Sequence, residues 1–267
     1  MTGDLPTPVS LVISNVPLRL QIREDLLDPP MALYRVRPEP ALARPAFELT
    51  VTDDLPPAPS AGEEPASIRL EGERVWLRSP YYEGCLDWEA GSGVFRQSPG
   101  TRFYRVPLQM ILVRKLLESD ALLVHGCGLA GPAGGLLFAG PSGAGKSTVA
   151  GLAGWPVLSD ELCTVGLGPD HEVWIAGTPL GLSTDNRALP LAGLYWLEQA
   201  PDDGLVPLSA AEAARQLLGQ TVTGGFDDAS LGRALSLVAE LVARRPAYRL
   251  RFTLSRRFLD SIGGEGA

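Results

Sequence analysis

A nine-residue glycine-rich segment is the feature that most constrains this chain of 267 residues. The segment reads Gly140-Pro-Ser-Gly-Ala-Gly-Lys-Ser-Thr148. It follows the apolar run Leu136–Phe138 and precedes residues that favour a helix. The spacing Gly-x-x-x-x-Gly-Lys-Ser between a strand and a helix is typical of loops that bind the phosphates of a nucleotide. The segment therefore predicts an α/β fold with a strand–loop–helix unit at its centre.

The positions of this glycine-rich segment have physical roles in phosphate binding. Gly143 and Gly145 let successive backbone N–H groups face an anion, because no Cβ obstructs them. The next helix, expected to begin at Lys146, directs the positive end of its dipole at the same anion. The Lys146 ammonium can reach the β- and γ-phosphates, and the Ser147 hydroxyl can bind Mg²⁺. We expect the cofactors to be ATP or GTP with Mg²⁺. The residues expected to contact them are Ser142, Gly143, Ala144, Gly145, Lys146, Ser147 and Thr148.

An acidic pair follows the segment by about a dozen residues. Asp160 and Glu161 come directly after the short apolar strand predicted at Val157–Ser159. A strand end at this place would bring Asp160 beside the phosphates, where other phosphate-loop proteins hold a metal-binding aspartate. The pair therefore indicates a site for the metal or for proton transfer.

The chain has two histidines. His125 ends the apolar run Leu122–Val124, on a strand that we expect to lie next to the strand before the glycine-rich segment. His171 lies in the polar turn Gly168-Pro-Asp-His and is expected to face solvent. His125 is therefore the histidine that can belong to the site.

These three elements, in this order and spacing, resemble the catalytic domain of the HPr kinase/phosphorylase family of serine kinases. The family pattern is a His-Gly strand end, a Gly-x-Ser-Gly-x-Gly-Lys-Ser loop and an Asp-Asp pair. Here it reads His125-Gly126, Gly140–Ser147 and Asp160-Glu161. The resemblance covers about residues 106–254. Some shorter relatives of this kind phosphorylate peptide precursors.

The resemblance implies specific roles for these residues. Asp160 would be the general base, Lys146 would hold the phosphates and His125 would lie close to the transferred phosphoryl group. Ser147 with the acidic pair Asp160-Glu161 would position Mg²⁺. Kinases also need cationic donors that neutralise charge in the transition state. Arg187 is the donor we expect here, with an exposed loop residue as the alternative interpretation.

The two parts of the chain differ in their predicted secondary structure. Residues 1–103 are predicted to form a β-rich N-terminal module, with strands that include Val9–Ile13 and Ala32–Val36. Residues 104–267 are predicted to form the phosphate-loop kinase domain. It begins with a helix near Pro107–Glu118, and a glycine-rich turn is predicted between the run Leu122–Val124 and the strand Gly135–Ala139. Ser209 and Glu212 have the spacing of a capping box ahead of a helix that ends near Gly219. An amphipathic helix is predicted over Ser230–Arg244, with an apolar stripe of Leu231, Leu235, Val238, Leu241 and Val242.

Composition limits the classes of partner and the location that we expect for this protein. Binding along the phosphate backbone of a nucleic acid needs a large basic surface, and a net charge of −8 argues against one. We therefore expect no nucleic-acid partner. No apolar run reaches the ~18 residues that cross a bilayer, and no secretory signal is evident, so a cytoplasmic protein is expected. Relatives of the HPr type form hexamers, which makes a homo-oligomer an expectation here.

The sequence therefore predicts an ATP-dependent kinase that transfers the γ-phosphate to a serine-type hydroxyl of a protein or peptide. Two alternatives stay open: a kinase for a small hydroxylated metabolite, and a nucleotide-dependent binding or regulatory module without transfer activity. A regulatory GTPase is excluded, because its Asn-Lys-x-Asp motif needs a lysine and none follows Lys146.

Overall fold

A computed structural model of the protein describes residues 7–36, 44–56, 66–224 and 227–263. The chain divides into two compact units, residues 1–112 and 113–267. We call them the N-terminal unit and the C-terminal unit. The division falls within helix α1 (Arg105–Glu118), whereas the sequence places a boundary near residue 103. None of the described helices is both long and apolar enough to cross a membrane.

The N-terminal unit is built on one mixed sheet, as the predicted β-rich module requires. Its described strands pair in the order β1-β2-β3-β7-β6-β5-β4, with β3 parallel to both of its neighbours. The strands are β1 (Thr7–Ile13), β2 (Val16–Ile22), β3 (Phe47–Thr52), β4 (Ser67–Glu71), β5 (Arg74–Ser79), β6 (Tyr82–Asp87) and β7 (Ser92–Gln97).

Alternation of buried and more exposed side chains in β2, β3, β5 and β7 gives this sheet one buried face. In β7, Phe95 is fully buried whereas its neighbour Val94 is 54% exposed. In β5, Val75 and Leu77 are buried and Trp76 between them is exposed. Successive residues of a strand point to opposite faces, so the apolar set of every second residue forms one core.

One predicted strand of this unit is wrong. The sequence pattern predicts a strand over Ala32–Val36, but the structure has a 3-10 helix over Pro29–Tyr34. Pro29 and Pro30 begin it, and proline suits a first helical turn because its missing N–H needs no partner there. The three-residue spacing of Met31 and Tyr34 then buries both of their side chains.

The C-terminal unit is α/β, as predicted, with a mixed sheet of nine described strands. The main path runs β11-β9-β10-β14-β13-β12-β8, and β16 pairs with both β14 and β15. The strands are β8 (Ala121–His125), β9 (Cys127–Gly131), β10 (Gly134–Ala139), β11 (Val157–Ser159), β12 (Leu162–Leu167), β13 (Val173–Gly177), β14 (Ala188–Gln199), β15 (Gly204–Pro207) and β16 (Ala247–Phe252). The further helices are α2 (Lys146–Ala153), α3 (Ala210–Gln220), α4 (Asp228–Arg244) and α5 (Phe258–Gly263).

Apolar residues cover both faces of the central strands in this unit. Leu137 of β10 belongs to a core that includes buried residues of α3 and α4. Its neighbour Phe138 belongs to a second core, with buried residues of α2 and α5. A parallel arrangement buried on both faces requires a continuous apolar run, which Leu136–Ala139 supplies.

The helices test two finer predictions. The capping box at the start of α3 is confirmed, because the Glu212 N–H donates to Ser209 Oγ and the Ser209 N–H donates to Glu212 Oε2. The apolar stripe predicted on α4 is partly wrong, because Leu231 and Leu235 are exposed. The buried stripe is centred on Ala234, Leu237, Val238, Leu241 and Val242, since a small alanine allows closer packing than the leucines beside it.

Candidate functional site

The glycine-rich segment joins β10 to α2, so the predicted strand–loop–helix unit is present. Gly140, Gly143 and Gly145 have φ angles of +153°, +80° and +106°. Residues with a Cβ rarely adopt these angles, which explains the glycines. The Ala144 N–H donates to Pro141 O at 3.1 Å, a hydrogen bond that closes the loop on itself.

Two strand ends pack against this loop. A Cβ at Gly145 would lie 2.5 Å from Phe252 Cζ, at the last residue of β16, so this position accepts only glycine. The Gln199 side-chain amide, at the end of β14, donates to Gly143 O at 3.1 Å. Sequence reasoning missed Phe252 and Gln199. Both lie at the carboxyl ends of strands in the parallel group with β10, and such ends meet at one edge of a sheet.

Lys146 folds over the loop that precedes it. Its Nζ donates to Gly140 O at 2.8 Å and to Pro141 O at 3.3 Å. Burial lowers the pKa of Lys146 below its ordinary value. The ammonium is therefore bound to the backbone at the start of the loop, and the side chains of Ser142 and Ser147 in the same segment are exposed.

The strand pairing brings the acidic pair to the same edge. Because β9 is antiparallel to β10, Cys127 at its start pairs with Phe138 near the end of β10. Because β11 is antiparallel to β9, Ser159 at its end pairs with Gly128 near the start of β9. Asp160, the next residue, therefore leaves the sheet at the edge where the glycine-rich segment begins.

The backbone around residues 181–183 fixes the Asp160 carboxylate. The Leu182 N–H donates to Asp160 Oδ1 at 2.9 Å, and the Asp160 N–H donates to Ser183 O at 3.1 Å. A Cβ at Gly181 would overlap Asp160 Oδ1, so the carboxylate packs directly on this backbone. The side chain of Glu161 is exposed.

His125 lies at the end of β8 with an exposed side chain. Burial of part of the ring lowers the pKa of His125, the positive charge of Lys146 lowers it further, and Glu161 raises it. His125 is thus within electrostatic reach of both Lys146 and Glu161. The Gly126 N–H next to it donates to Glu161 O at 2.9 Å.

The predicted neighbour of β10 is wrong. β8 pairs with β12, and the strand beside β10 is β9, which the sequence analysis interpreted as a glycine-rich turn. Gly126 allows the change of strand, because a Cβ there would lie 2.8 Å from the Leu137 side chain. Cys127 and Leu129 are buried, which makes this glycine-rich stretch a strand.

Cys127, at the start of β9, is a buried thiol near this edge of the sheet. Burial raises the pKa of the Cys127 thiol to about 12; the negative charge of Asp160 raises it and Lys146 lowers it. The thiol is therefore close enough to Asp160 and Lys146 to feel both charges. Its only signal in the sequence is its position two residues after His125.

Arg187 lies on the segment that leads into β14. Its guanidinium is 2.7 Å from Asp185 Oδ2, and the Asp185 N–H donates to Leu158 O at 3.0 Å. Leu158 is in β11, two residues before Asp160. The structure thus ties the segment of Arg187 to the strand of Asp160, with the charge of Arg187 paired. The other histidine, His171, is exposed and lies 3.1 Å from Glu240 Oε1.

Few residues are expected to bind the metal. Within the described residues, no group of three or more His, Cys, Asp or Glu side chains is arranged to hold a metal ion. The expected set adds the Ser147 hydroxyl to the carboxylates of Asp160 and Glu161. Mg²⁺ is usually bound by one or two carboxylates together with substrate phosphates and water. The set therefore suits Mg²⁺ only when a polyphosphate is bound beside it.

The fold and this edge of the sheet define an α/β protein with a glycine-rich strand–loop–helix site. Residues 105–264 match the family described as "ScmC: SynChlorMet cassette protein ScmC". Since the match spans more than half of the chain, the protein belongs to the ScmC family. The matched residues begin with α1 and include the glycine-rich segment, His125 and Asp160. No curated protein matches the chain.

Proposed function

We propose that this protein is a cytoplasmic, ATP-dependent kinase that transfers the γ-phosphate to a serine hydroxyl of a protein or peptide. One observation carries the proposal. The glycine-rich segment and Asp160 lie at one edge of the sheet, and His125 and Lys146 are within electrostatic reach of each other there. The C-terminal unit is then a phosphate-loop domain of the HPr kinase type.

The glycine-rich segment would hold the polyphosphate. Its left-handed glycines present backbone N–H groups, and the N-terminus of α2 adds a partial positive charge. The Lys146 ammonium exchanges its bonds to Gly140 O and Pro141 O for bonds to phosphate oxygens. Charge-assisted bonds of this kind are stronger than bonds to neutral carbonyls, so the exchange favours the nucleotide.

Ser147, Asp160 and Glu161 are the residues that would hold Mg²⁺ against the phosphates. When bound, the ion would neutralise charge on the transferred group. Arg187 would add a second cation if its segment moved it away from Asp185. All four residues would bind and orient the nucleotide and its metal. Asp160 would also take part in deprotonating the acceptor hydroxyl.

Asp160 would accept the proton of the acceptor hydroxyl as the general base. A base must lie within about 2.6–3.2 Å of the oxygen it deprotonates, and its orientation must be fixed. The Leu182 N–H provides that orientation by holding Oδ1. Burial and the charge of Lys146 lower the pKa of His125, which favours the neutral imidazole, and that form can donate one hydrogen bond to the transferred group.

The test is a transfer assay with γ-labelled ATP, Mg²⁺ and a library of peptides that each contain one serine. Asp160→Asn should lower transfer by about 10²–10⁴-fold, because the amide cannot accept the proton, while the affinity for ATP measured without Mg²⁺ stays within about 2-fold. Asp170→Asn, at an exposed aspartate in the turn after β12, is the matched control and should leave both unchanged.

Two results would contradict the proposal. If the wild-type protein binds ATP but labels no acceptor, including free serine, it is a binding module. If Asp160→Asn lowers the affinity for ATP with Mg²⁺ as much as it lowers transfer, Asp160 serves the metal alone and another group is the base. Label that appears on small hydroxylated compounds in place of peptides would establish a metabolite kinase.

A further inference from the structure

Leu182 is the most exposed large apolar residue among the described residues, with 86% of its surface accessible. A single exposed leucine is ordinary on a protein surface and means little by itself. What distinguishes Leu182 is the bond from its backbone N–H to Asp160 Oδ1. The most exposed leucine is therefore one hydrogen bond away from the proposed base.

Contacts on both sides of Leu182 fix the backbone of its segment. The neighbours of Leu182 are both pressed against Asp160: Gly181 packs on the carboxylate, and Ser183 O accepts the Asp160 N–H. The next residue, Thr184, forms a bridge with Ser159 and donates its hydroxyl to Leu158 O at 3.1 Å. With its segment bound on both sides, the backbone of Leu182 is held in place beside the base.

An acceptor hydroxyl must approach Asp160 to within about 2.6–3.2 Å to lose its proton. Because the Leu182 N–H contacts Asp160 Oδ1, groups that flank a hydroxyl at that distance would pass close to residue 182. We infer that Leu182 determines acceptor specificity, and that the acceptor is a peptide segment with an apolar side chain close to the phosphorylated serine. Burying Leu182 against that side chain removes apolar surface from water, whereas a small polar metabolite leaves it exposed. This inference rests on the proposed kinase function.

The test uses a positional-scanning peptide library with one central serine and γ-labelled ATP. The wild-type protein should select Leu, Ile, Val, Met or Phe at one or more positions beside the serine. Leu182→Asp should abolish this preference and raise KM for the best apolar peptide by about 10–200-fold, the range that small apolar contacts supply. Its ATP affinity should stay within about 2-fold.

Matched variants separate the contact from a general loss of structure. Leu235→Asp changes a leucine of α4 that is 45% exposed and should leave the preference and KM as in the wild type. Leu182→Met keeps an apolar side chain of similar size and should preserve KM within about 3-fold, whereas Leu182→Ala should give an intermediate KM.

Each outcome decides the matter. If Leu182→Asp retains the apolar preference and the wild-type KM, the inference is overturned and the proposed kinase function stands. If Leu182→Asp binds ATP poorly, the milder pair decides: an equal KM for Leu182→Met and Leu182→Ala overturns the inference, and a higher KM for Leu182→Ala supports it. If the wild-type protein binds ATP but labels no peptide, the proposed function is wrong, and the inference about Leu182 is wrong for the same reason.

Discussion

The sheets of the two units bury their strands in different ways. In the N-terminal unit, Phe95 is buried and Val94 beside it is exposed, so one face of the sheet forms the core. In the C-terminal unit, the consecutive residues Leu137 and Phe138 are both fully buried, in two separate cores. The first sheet can carry function on its open face. The second has both faces covered, and its strand ends are the surface it offers to ligands.

This difference agrees with where the polar residues of the candidate site lie. His125, Asp160 and the glycine-rich segment all follow the ends of strands in the C-terminal unit. The ScmC family match covers this unit and begins at α1, so β1–β7 fall outside it. A sheet covered on both faces also holds its strand ends rigidly, which a site that orients phosphates requires.

The largest expected effect tests the difference in burial directly. In the C-terminal sheet, Leu137→Ala and Phe138→Ala should each lower the free energy of unfolding by about 2–5 kcal/mol, because each leaves a cavity in a separate core. In the N-terminal sheet, Phe95→Ala should cost about 3–5 kcal/mol, but Val94→Thr should change stability by less than about 0.5 kcal/mol. Urea unfolding measures all four. Equal costs at Val94 and Phe95 would show that the first sheet is also covered on both faces.

A second prediction tests whether nucleotide binding belongs to the end of β10. Lys146→Met should weaken ATP binding by about 10–100-fold, since it removes charge-assisted hydrogen bonds to the phosphates. The chain supplies a matched control, because Lys115 is its other lysine and lies 2.9 Å from Glu118 Oε2. Calorimetry should find wild-type affinity for Lys115→Met. Similar losses in both variants would indicate a general effect of charge on binding.

The smallest expected effect concerns the thiols of the two sheets. The pKa of Cys127 is raised to about 12 in the folded protein, above the ordinary value of 9.0. The unfolded chain therefore loses this proton first, so the stability from the neutral thiol is present below about pH 9 and is lost as the pH rises towards 12. The free energy of unfolding should fall by about 1.4 kcal/mol per pH unit from this group.

Cys127→Ala should remove that slope between about pH 9.5 and 10.5, as measured by urea unfolding. Cys85→Ala is the comparison, because Cys85 lies half-buried in β6 of the one-sided sheet. It should change the slope less. If the free energy of unfolding has the same slope against pH in the wild type and in Cys127→Ala, water reaches the Cys127 thiol in the folded protein.

Local patterns in the sequence predicted the local parts of this structure. The spacing of Gly140, Gly145 and Lys146 predicted the strand–loop–helix unit, and Ser209 with Glu212 predicted the start of α3. These features succeed because their hydrogen bonds join residues a few positions apart. The kinase activity, the nucleotide and the metal stay predictions.

Residues brought together by strand order could not be predicted in the same way. Gln199 and Phe252 reach the loop only because β14 and β16 run parallel to β10, and that pairing is set by contacts distant in sequence. β9 was missed because glycines obscure its apolar alternation. Leu182 carries no motif, and its place beside Asp160 depends on the backbone pairing of residues 181–184.

The contact between Gly145 and Phe252 has a consequence for how the protein is made. The loop comes early in the C-terminal unit, whereas the ring that packs on it belongs to Phe252 of β16, about a hundred residues later. A ribosome adds roughly 5–20 residues per second, so the loop waits about 5–20 s for its support. A nascent chain arrested before β16 leaves the ribosome should therefore lack the ring that packs on Gly145, and its loop should be less ordered than in the folded unit.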